Sequence, residues 1–276
     1  MKIGVLLGLI VATCVSIQAF STKAISTQAI STQAMAAEDQ VLKELVPTGK
    51  LRVGLAYAPA PTPIFVARDG TNVSGPAFDI GNALAKKLGV PVELHVTATT
   101  GELTEAGSAD TIDIGFMPAD EARKQRLDFS PPYFTIESTY LTTAASGIKS
   151  MSEIDRPGLK VVGIDGSTTM RAAARTLKQA TVTPAKSVDE AMAMMKAGEV
   201  QAFALTHDAL PKLQKQLPGS VILDGAFQTV GVAIGIQKNK PAALAYVKTF
   251  VEEAKKNGTI RKAFDSAGLQ SLSIAP

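Results

Sequence analysis

Residues 159–205, LKVVGIDGSTTMRAAARTLKQATVTPAKSVDEAMAMMKAGEVQAFAL, decide the fold. Leu159 to Ile164 is an apolar run of strand length, and Thr168 to Gln179 carries helical spacing. Ala180 to Thr183 reads as a second strand before Pro184, Val188 to Lys196 as a second helix, and Gln201 to Leu205 as a third strand. Strands that alternate with helices specify a mostly parallel sheet covered by helices. Asp208 to Gln216 continues the pattern as a further helix.

Upstream the same grammar occurs once already. Leu51-Arg52-Val53-Gly54-Leu55 is a strand after the Gly49-Lys50 turn, and Asp79 to Leu88 has apolar residues at helical spacing, with Asp79 in place as an N-cap and Gly89-Val90-Pro91 as the stop. Val92 to Thr97 and Thr111 to Phe116 are strands on either side of a short helix at Glu102 to Ala106. The chain therefore holds two α/β units. The β-branched run Thr139 to Thr143 leads from the first to the second, and the extended run Phe227 to Ile236 leads out again. The closing helices, Pro241 to Lys256 and Thr259 to Ala267, then belong with the first unit. This gives two lobes, residues 38–136 with 229–276 and residues 137–228, joined by two segments that act as a hinge beside a cleft.

Composition bounds what the cleft can do. The 276 residues include 28 Lys and Arg against 25 Asp and Glu, one Cys and two His, so neither a disulfide framework nor a basic footprint for nucleic acid is present. Residues 1–37 read as an export signal followed by a spacer: Lys2 precedes the apolar run Ile3 to Ile17, and Ser21, Ser26 and Ser31 begin three similar Ser-Thr-x-Ala units. Cleavage near Ala36 would remove Lys2 and Lys23 and leave 26 basic residues against 25 acidic. The expected protein is periplasmic, nearly neutral and free of cysteine. The competing reading takes Val11-Ala12-Thr13-Cys14 as a lipid-attachment site and the repeat as a tether, although Thr13 suits that role poorly.

Neither His95 nor His207 has a second His or a Cys at ligand spacing, and neither a Gly-x-Ser-x-Gly elbow nor a phosphate-binding Gly-x4-Gly-Lys motif occurs. The expectation is no metal and no cofactor. Two segments carry chemistry instead. In Gly163-Ile164-Asp165-Gly166-Ser167-Thr168-Thr169 a strand turns into a helix, whose first N–H groups and positive dipole end suit an anion. Ser167 is equally an ordinary N-cap. In Asp113 to Tyr133, Arg123 follows a strand end, where a guanidinium can grip a carboxylate with two hydrogen bonds, whereas Lys124 and Arg126 read as a solvated charge cluster. Met192, Met194 and Met195 fit helical core packing.

These segments resemble the extracellular solute-binding proteins of family 3. The resemblance rests on Thr48-Gly49-Lys50-Leu51-Arg52-Val53-Gly54, Gly75-Pro76-Ala77-Phe78-Asp79, Arg123 with Asp128-Phe129-Ser130-Pro131-Pro132-Tyr133, Val162 to Thr168, and Ala197 to Ala202, in that order across nearly the whole mature chain. It implies a type II periplasmic-binding-protein fold that closes on a small solute without reacting with it. It also implies a monomer that delivers its ligand to the membrane permease of an ABC importer. Arg123 matches the family's carboxylate clamp, Ser167, Thr168 and Thr169 the helix start that donates to the same group, and Gly115, Phe116 and Pro118 the stretch that meets ligand through its backbone. Tyr57 and Phe65 lie where an aromatic side chain covers ligand or simply packs.

The departures from the family bear on the ligand. Positions that usually hold acidic partners for a ligand ammonium carry Ala56 and Thr206, and Pro118 stands where Ser is usual. Asp120 or Asp208 would have to substitute, unless each is an N-cap of the helix that follows. The expected ligand is therefore a small carboxylate-bearing solute, an amino acid or organic acid. The alternative is a cyclohexadienyl-dehydratase-like enzyme on the same fold, with Asp120, His207 and Asp208 as its acid–base candidates.

Overall fold

A computed structural model describes residues 33, 35–58, 61–70 and 72–276. The leader, Cys14 and most of the repeat lie outside the described residues. Helix α1 (residues 35–45) begins inside the stretch read as spacer. It is amphipathic: Leu45 is fully buried, and Val41 and Leu42 pack on the same core. Its Glu44 accepts hydrogen bonds from the Ala242 and Ala243 N–H groups at 2.7 and 3.0 Å, which caps a helix near the opposite end of the chain.

The first unit runs β1 (Leu51–Tyr57), β2 (Phe65–Asp69), β3 (Asn72–Ser74), α2 (Pro76–Leu88), β4 (Val92–Thr97), α3 (Thr100–Ser108), β5 (Ile114–Pro118), α4 (Glu121–Lys124) and β6 (Leu127–Phe129). Strand β7 (Phe134–Thr142) leads into β8 (Lys160–Ile164), α5 (Thr168–Thr176), β9 (Thr181–Ala185), α6 (Val188–Lys196), β10 (Ala202–Thr206), α7 (Leu210–Gln214) and β11 (Val221–Ile222). Strand β12 (Gln228–Gln237) returns, and α8 (Pro241–Lys256) and α9 (Thr259–Ser266) end the chain.

The strands line up as β3-β2-β1-β5-β12-β7-β10-β8-β9. Pairing is parallel for β1 with β4 and β5 and for β8 with β9 and β10, as the alternating sequence requires. It is antiparallel where β12 and β7 run side by side. Around the first parallel group lies one large core that includes Leu51, Ile80, Phe116, Tyr133, Val247 and Phe264, so α8 and α9 pack with β1 and α2. The second group is covered on its two faces by separate clusters, one with Met192, Met195 and Phe203 and one with Tyr140, Ala173 and Leu177. Met192 and Met195 are core residues, and Met194 packs partly buried against them.

Several helix limits differ from the sequence reading, α3 for one running Thr100–Ser108, and three of the differences have a visible cause. Helix α2 starts at Pro76 and not at Asp79, because Gly75 takes φ 143° at the N-cap and Pro76, with no N–H to satisfy, opens the first turn that contains Asp79. Helix α5 stops at Thr176, three residues early. The Asp155 carboxylate accepts from the N–H groups of Lys178, Gln179 and Ala180 at 2.7–3.0 Å, which holds that backbone out of the helix, and these bonds keep the Asp155 carboxyl below its usual range. Helix α7 starts at Leu210 behind a turn, and its N-cap is Ala209, so Asp208 is not a cap.

Candidate functional site

Strand β5 delivers the chain to Pro118, and the four-residue helix α4 follows at once. Asp120 is its N-cap, accepting from the Arg123 N–H at 3.1 Å. This short helix turns the Arg123 side chain inward, where it is 1% exposed. Lys124 and Arg126 point outward to Glu121 and Glu105 in exposed pairs, the solvated arrangement their pattern suggested.

All the hydrogen-bond partners of the Arg123 guanidinium are neutral oxygens. Nε donates to Thr104 Oγ1 at 2.9 Å, Nη1 to the Pro118 carbonyl at 3.0 Å, and Nη2 to Thr100 Oγ1 at 2.9 Å, the Thr100 carbonyl at 3.1 Å and the Gly166 carbonyl at 3.1 Å. A guanidinium has five N–H donors, so one on Nη1 is left for another acceptor. Burial, with the nearby Arg171 charge, brings the Arg123 pKa down to about 9 against the opposing pull of Asp120. The group is still cationic at neutral pH. Thr100 and Thr104 were not singled out in the sequence; their spacing of four in α3 puts both hydroxyls on the face toward Arg123.

The Gly166 carbonyl belongs to the other half of the molecule, at the turn between β8 and α5. It also accepts from Arg171 Nη1 at 2.8 Å. Arg171 Nε donates to Asp120 Oδ2 at 2.9 Å, so the N-cap carboxylate of α4 is also an ion pair across the cleft. Burial would raise the Asp120 carboxyl, but its bonds to Arg171 and the Arg123 N–H, with both guanidinium charges, hold it below the usual range. Beside these contacts the backbones touch: a Cβ on Gly101 would sit 3.0 Å from the Gly166 Cα. The halves are closed on one another here.

Ser167 caps α5, accepting from the Met170 N–H at 3.1 Å and from the Thr169 hydroxyl at 3.2 Å. Thr168 Oγ1 accepts from Gln228 Nε2 at 3.0 Å, so its own hydroxyl proton can point elsewhere. Gln228, at the start of β12, is a further residue that the sequence reading did not name. Gly115 and Phe116 are packing residues as regards their side-chain positions. A Cβ on Gly115 would meet Met117 Cε at 2.8 Å, and the Phe116 ring packs edge-on to Tyr133 at 5.9 Å between centroids. Of that stretch, the Pro118 carbonyl is what reaches Arg123.

The other named residues lie apart from this cluster. Phe65 is partly buried and lines a cavity of about 360 Å3 with Ala58 and Thr62 on one side and Leu205 and Asp208 on the other. Tyr57 is 37% exposed. Thr206 is buried at the end of β10 with no hydrogen-bond partner for its hydroxyl, and Asp208 Oδ2 is likewise buried without one. A second cavity, about 410 Å3, opens beside Gly101, Arg123, Gly166 and Arg171. Among the described residues no group of three His, Cys, Asp or Glu side chains is placed to hold a metal ion, and no helix is long and apolar enough to cross a membrane.

Two α/β lobes on a pair of crossing strands, with a buried cation between them, define a two-lobed solute-binding protein. The chain belongs to the bacterial extracellular solute-binding proteins, family 3, whose profile matches residues 51–268. It is 29% identical over 209 residues to a glutamine-binding protein of Geobacillus stearothermophilus, covering 73% of this chain and 78% of that one. It is 25% identical over 207 residues to an arginine-binding extracellular protein of Bacillus subtilis (strain 168), covering 72% and 79%. Among solved structures, an ancestral amino-acid-binding protein described as a precursor of cyclohexadienyl dehydratase superposes with TM-score 0.70 at 30% identity, over 82% of this chain and 98% of its own. These likenesses establish the type II periplasmic-binding-protein fold.

Proposed function

We propose that the protein is the ligand receptor of an ABC importer and that it captures a small carboxylate-bearing solute, an amino acid or a related organic acid, by closure of its lobes. One observation carries the reading. Arg123 is a buried cation bonded to neutral oxygens only, and it lies between the lobes with a donor to spare. An unpaired buried charge costs several kcal/mol, and a ligand carboxylate on the spare Nη1 donor recovers much of that cost. The donors at the start of α5 then add to the same anion. Because the ligand touches both lobes, its affinity for the closed form is what shifts the equilibrium toward closure.

Relatives that are glutamine- and arginine-binding proteins support the amino-acid class. The lobe limits proposed are residues 38–136 with 229–276 and residues 137–228, supported by the separate cores. A periplasmic monomer handing ligand to a membrane permease completes the reading, with a lipid anchor at Cys14 as the alternative. We further propose that no reaction occurs on the ligand, since Asp120 is committed to a cap and an ion pair and His207 is exposed. Conversion of prephenate or arogenate by the purified protein would refute that part.

The test is calorimetry over a panel of amino acids and small organic acids with wild type and Arg123→Ala. Loss of binding by about 100-fold or more is expected, as for a buried charged hydrogen bond. An Arg123→Ala variant that binds the wild-type ligand equally well overturns the assignment.

A further inference from the structure

We propose that the outer edge of β4 pairs antiparallel with the same edge of a second copy of this chain, in a register centred on Leu94. The copy that delivers ligand is still the single one of the proposed function. Pairing is a second, reversible state of the receptor at high concentration, built on residues away from Arg123.

Strand β4 bonds to β1 and, among the described residues, to no other strand. The Leu51 N–H donates to the Pro91 carbonyl at 2.9 Å, and the parallel register then runs without a break from Leu51 opposite Val92 to Ala56 opposite Thr97. Residues along a strand bond alternately to one side and the other, so Pro91, Glu93, His95 and Thr97 turn their backbone groups to β1. The N–H and C=O groups of Val92, Leu94 and Val96 therefore point out of the sheet edge. Neither a proline nor a bulge blunts Val92–Thr97, and Leu94, 39% exposed, is one of three large apolar side chains exposed among the described residues.

The edge is complementary to itself. Centred on Leu94, the antiparallel register lets Leu94 exchange both its bonds with the partner's Leu94, and Val92 with the partner's Val96, which by symmetry makes six bonds about one two-fold axis. Glu93 then falls opposite the partner's His95 in the close-set pairs between these bonds, with Cα atoms about 4.5 Å apart. A histidine ring carries an N–H in every protonation state and can donate to that carboxylate, whose ion-pair partner within its own chain is Lys50 at 3.6 Å, on the surface. A parallel in-register pairing would set Glu93 on Glu93, so the charges choose the antiparallel one. On the opposite face Val92 and Val96 pack partly buried on the large core, and a second strand carries that apolar face across the seam and covers both Leu94 side chains. Two strands of six residues make a small interface, so the pairing is weak, with a Kd of about 10 µM to 1 mM.

Sedimentation of the full mature protein, from about 1 µM to about 1 mM, is expected to show a reversible monomer–dimer equilibrium. Leu94→Pro removes an outward N–H and leaves the ladder to β1 whole, and it should weaken the dimer by about 10-fold or more. Two charge variants read the register should Leu94→Pro fold poorly. Glu93→Lys sets a lysine against the partner's His95, and His95→Glu sets a glutamate against the partner's Glu93, so each alone should self-associate about 10-fold more weakly than wild type. Mixed, the two variants place opposite charges or a histidine and a carboxylate at both crossings, and the heterodimer should recover the strength of the wild-type pair. A protein that stays monomeric throughout, a dimer that none of the three variants weakens, or a mixture no stronger than its components overturns the proposal. None of these results touches the Arg123 assignment, which stands or falls on Arg123→Ala.

Discussion

Gly101→Ala would act on closure and almost nothing else. Gly101 is the second residue of α3, where alanine is the better helix former by about 0.5–1 kcal/mol, so the lobe that contains it should be stabilised if changed at all. Across the cleft the new Cβ would stand 3.0 Å from the Gly166 Cα and 3.2 Å from the Asp165 carbonyl, both backbone atoms that cannot rotate away. Overpacking of this kind costs about 1–3 kcal/mol, and here the cost falls only on the closed form. Affinity for any closure-dependent ligand should fall about 5- to 150-fold while Tm in the absence of ligand stays level or rises by a few degrees. Calorimetry gives the affinity, scanning calorimetry the Tm, and small-angle scattering with ligand the degree of closure. Unchanged affinity together with an unchanged compact scattering profile would refute the idea that the lobes meet at Gly101 and Gly166 in the bound state.

Acid should loosen the same interface. The folded pKa of Asp120 lies below its unfolded value, so its contribution is present above the ordinary carboxylate range and is lost as pH falls through the lowered value. Scattering should therefore show the liganded protein opening in the acid range below about pH 4, and Asp120→Asn should be open already at neutral pH; equal closure of both forms at pH 7 would exclude the Asp120–Arg171 pair as a latch. Asp113→Ala should be costly for a different reason. The Asp113 carboxylate is fully buried and accepts from the Arg52 N–H at 2.7 Å and from its guanidinium at 2.6 and 3.0 Å, so its removal should destabilise by about 3–5 kcal/mol in chemical denaturation.

The architecture was legible because hydrophobic period carries it. Strands β1, β4, β8 and β10 and helices α6 and α8 fall where alternation put them, and α8 and α9 pack on the first unit since no uncovered face remained on the second. Side-chain competition was not legible. Nothing local in Lys178-Gln179-Ala180 shows that a carboxylate at Asp155, far back along the chain, will take all three of that segment's N–H groups and end α5. Arg123 stood out by its place after a strand, yet the neutral cage of Thr100, Thr104 and Gly166 around it depends on α3 and on the opposite lobe. Phe116 and Gly115 were named for a backbone role, and their side-chain positions turned out to serve the core. Of the two residues named as substitutes for a missing acid, Asp120 is taken up by the α4 cap and by Arg171, a pairing that depends on the opposite lobe.

The crossing strands have a mechanical consequence. Ser138 of β7 lies opposite Thr206 on one side and Gln228 on the other, so at the crossover the ladder is continuous from one lobe into the next. A ribbon bonded across its width resists shear and in-plane bending but yields readily in torsion, along the twist that sheets already carry. The lobes are thus coupled by something closer to a torsion spring than a pair of loose tethers. Their relative motion has essentially one soft coordinate, and hinge amides should remain protected from hydrogen exchange however far the jaws open.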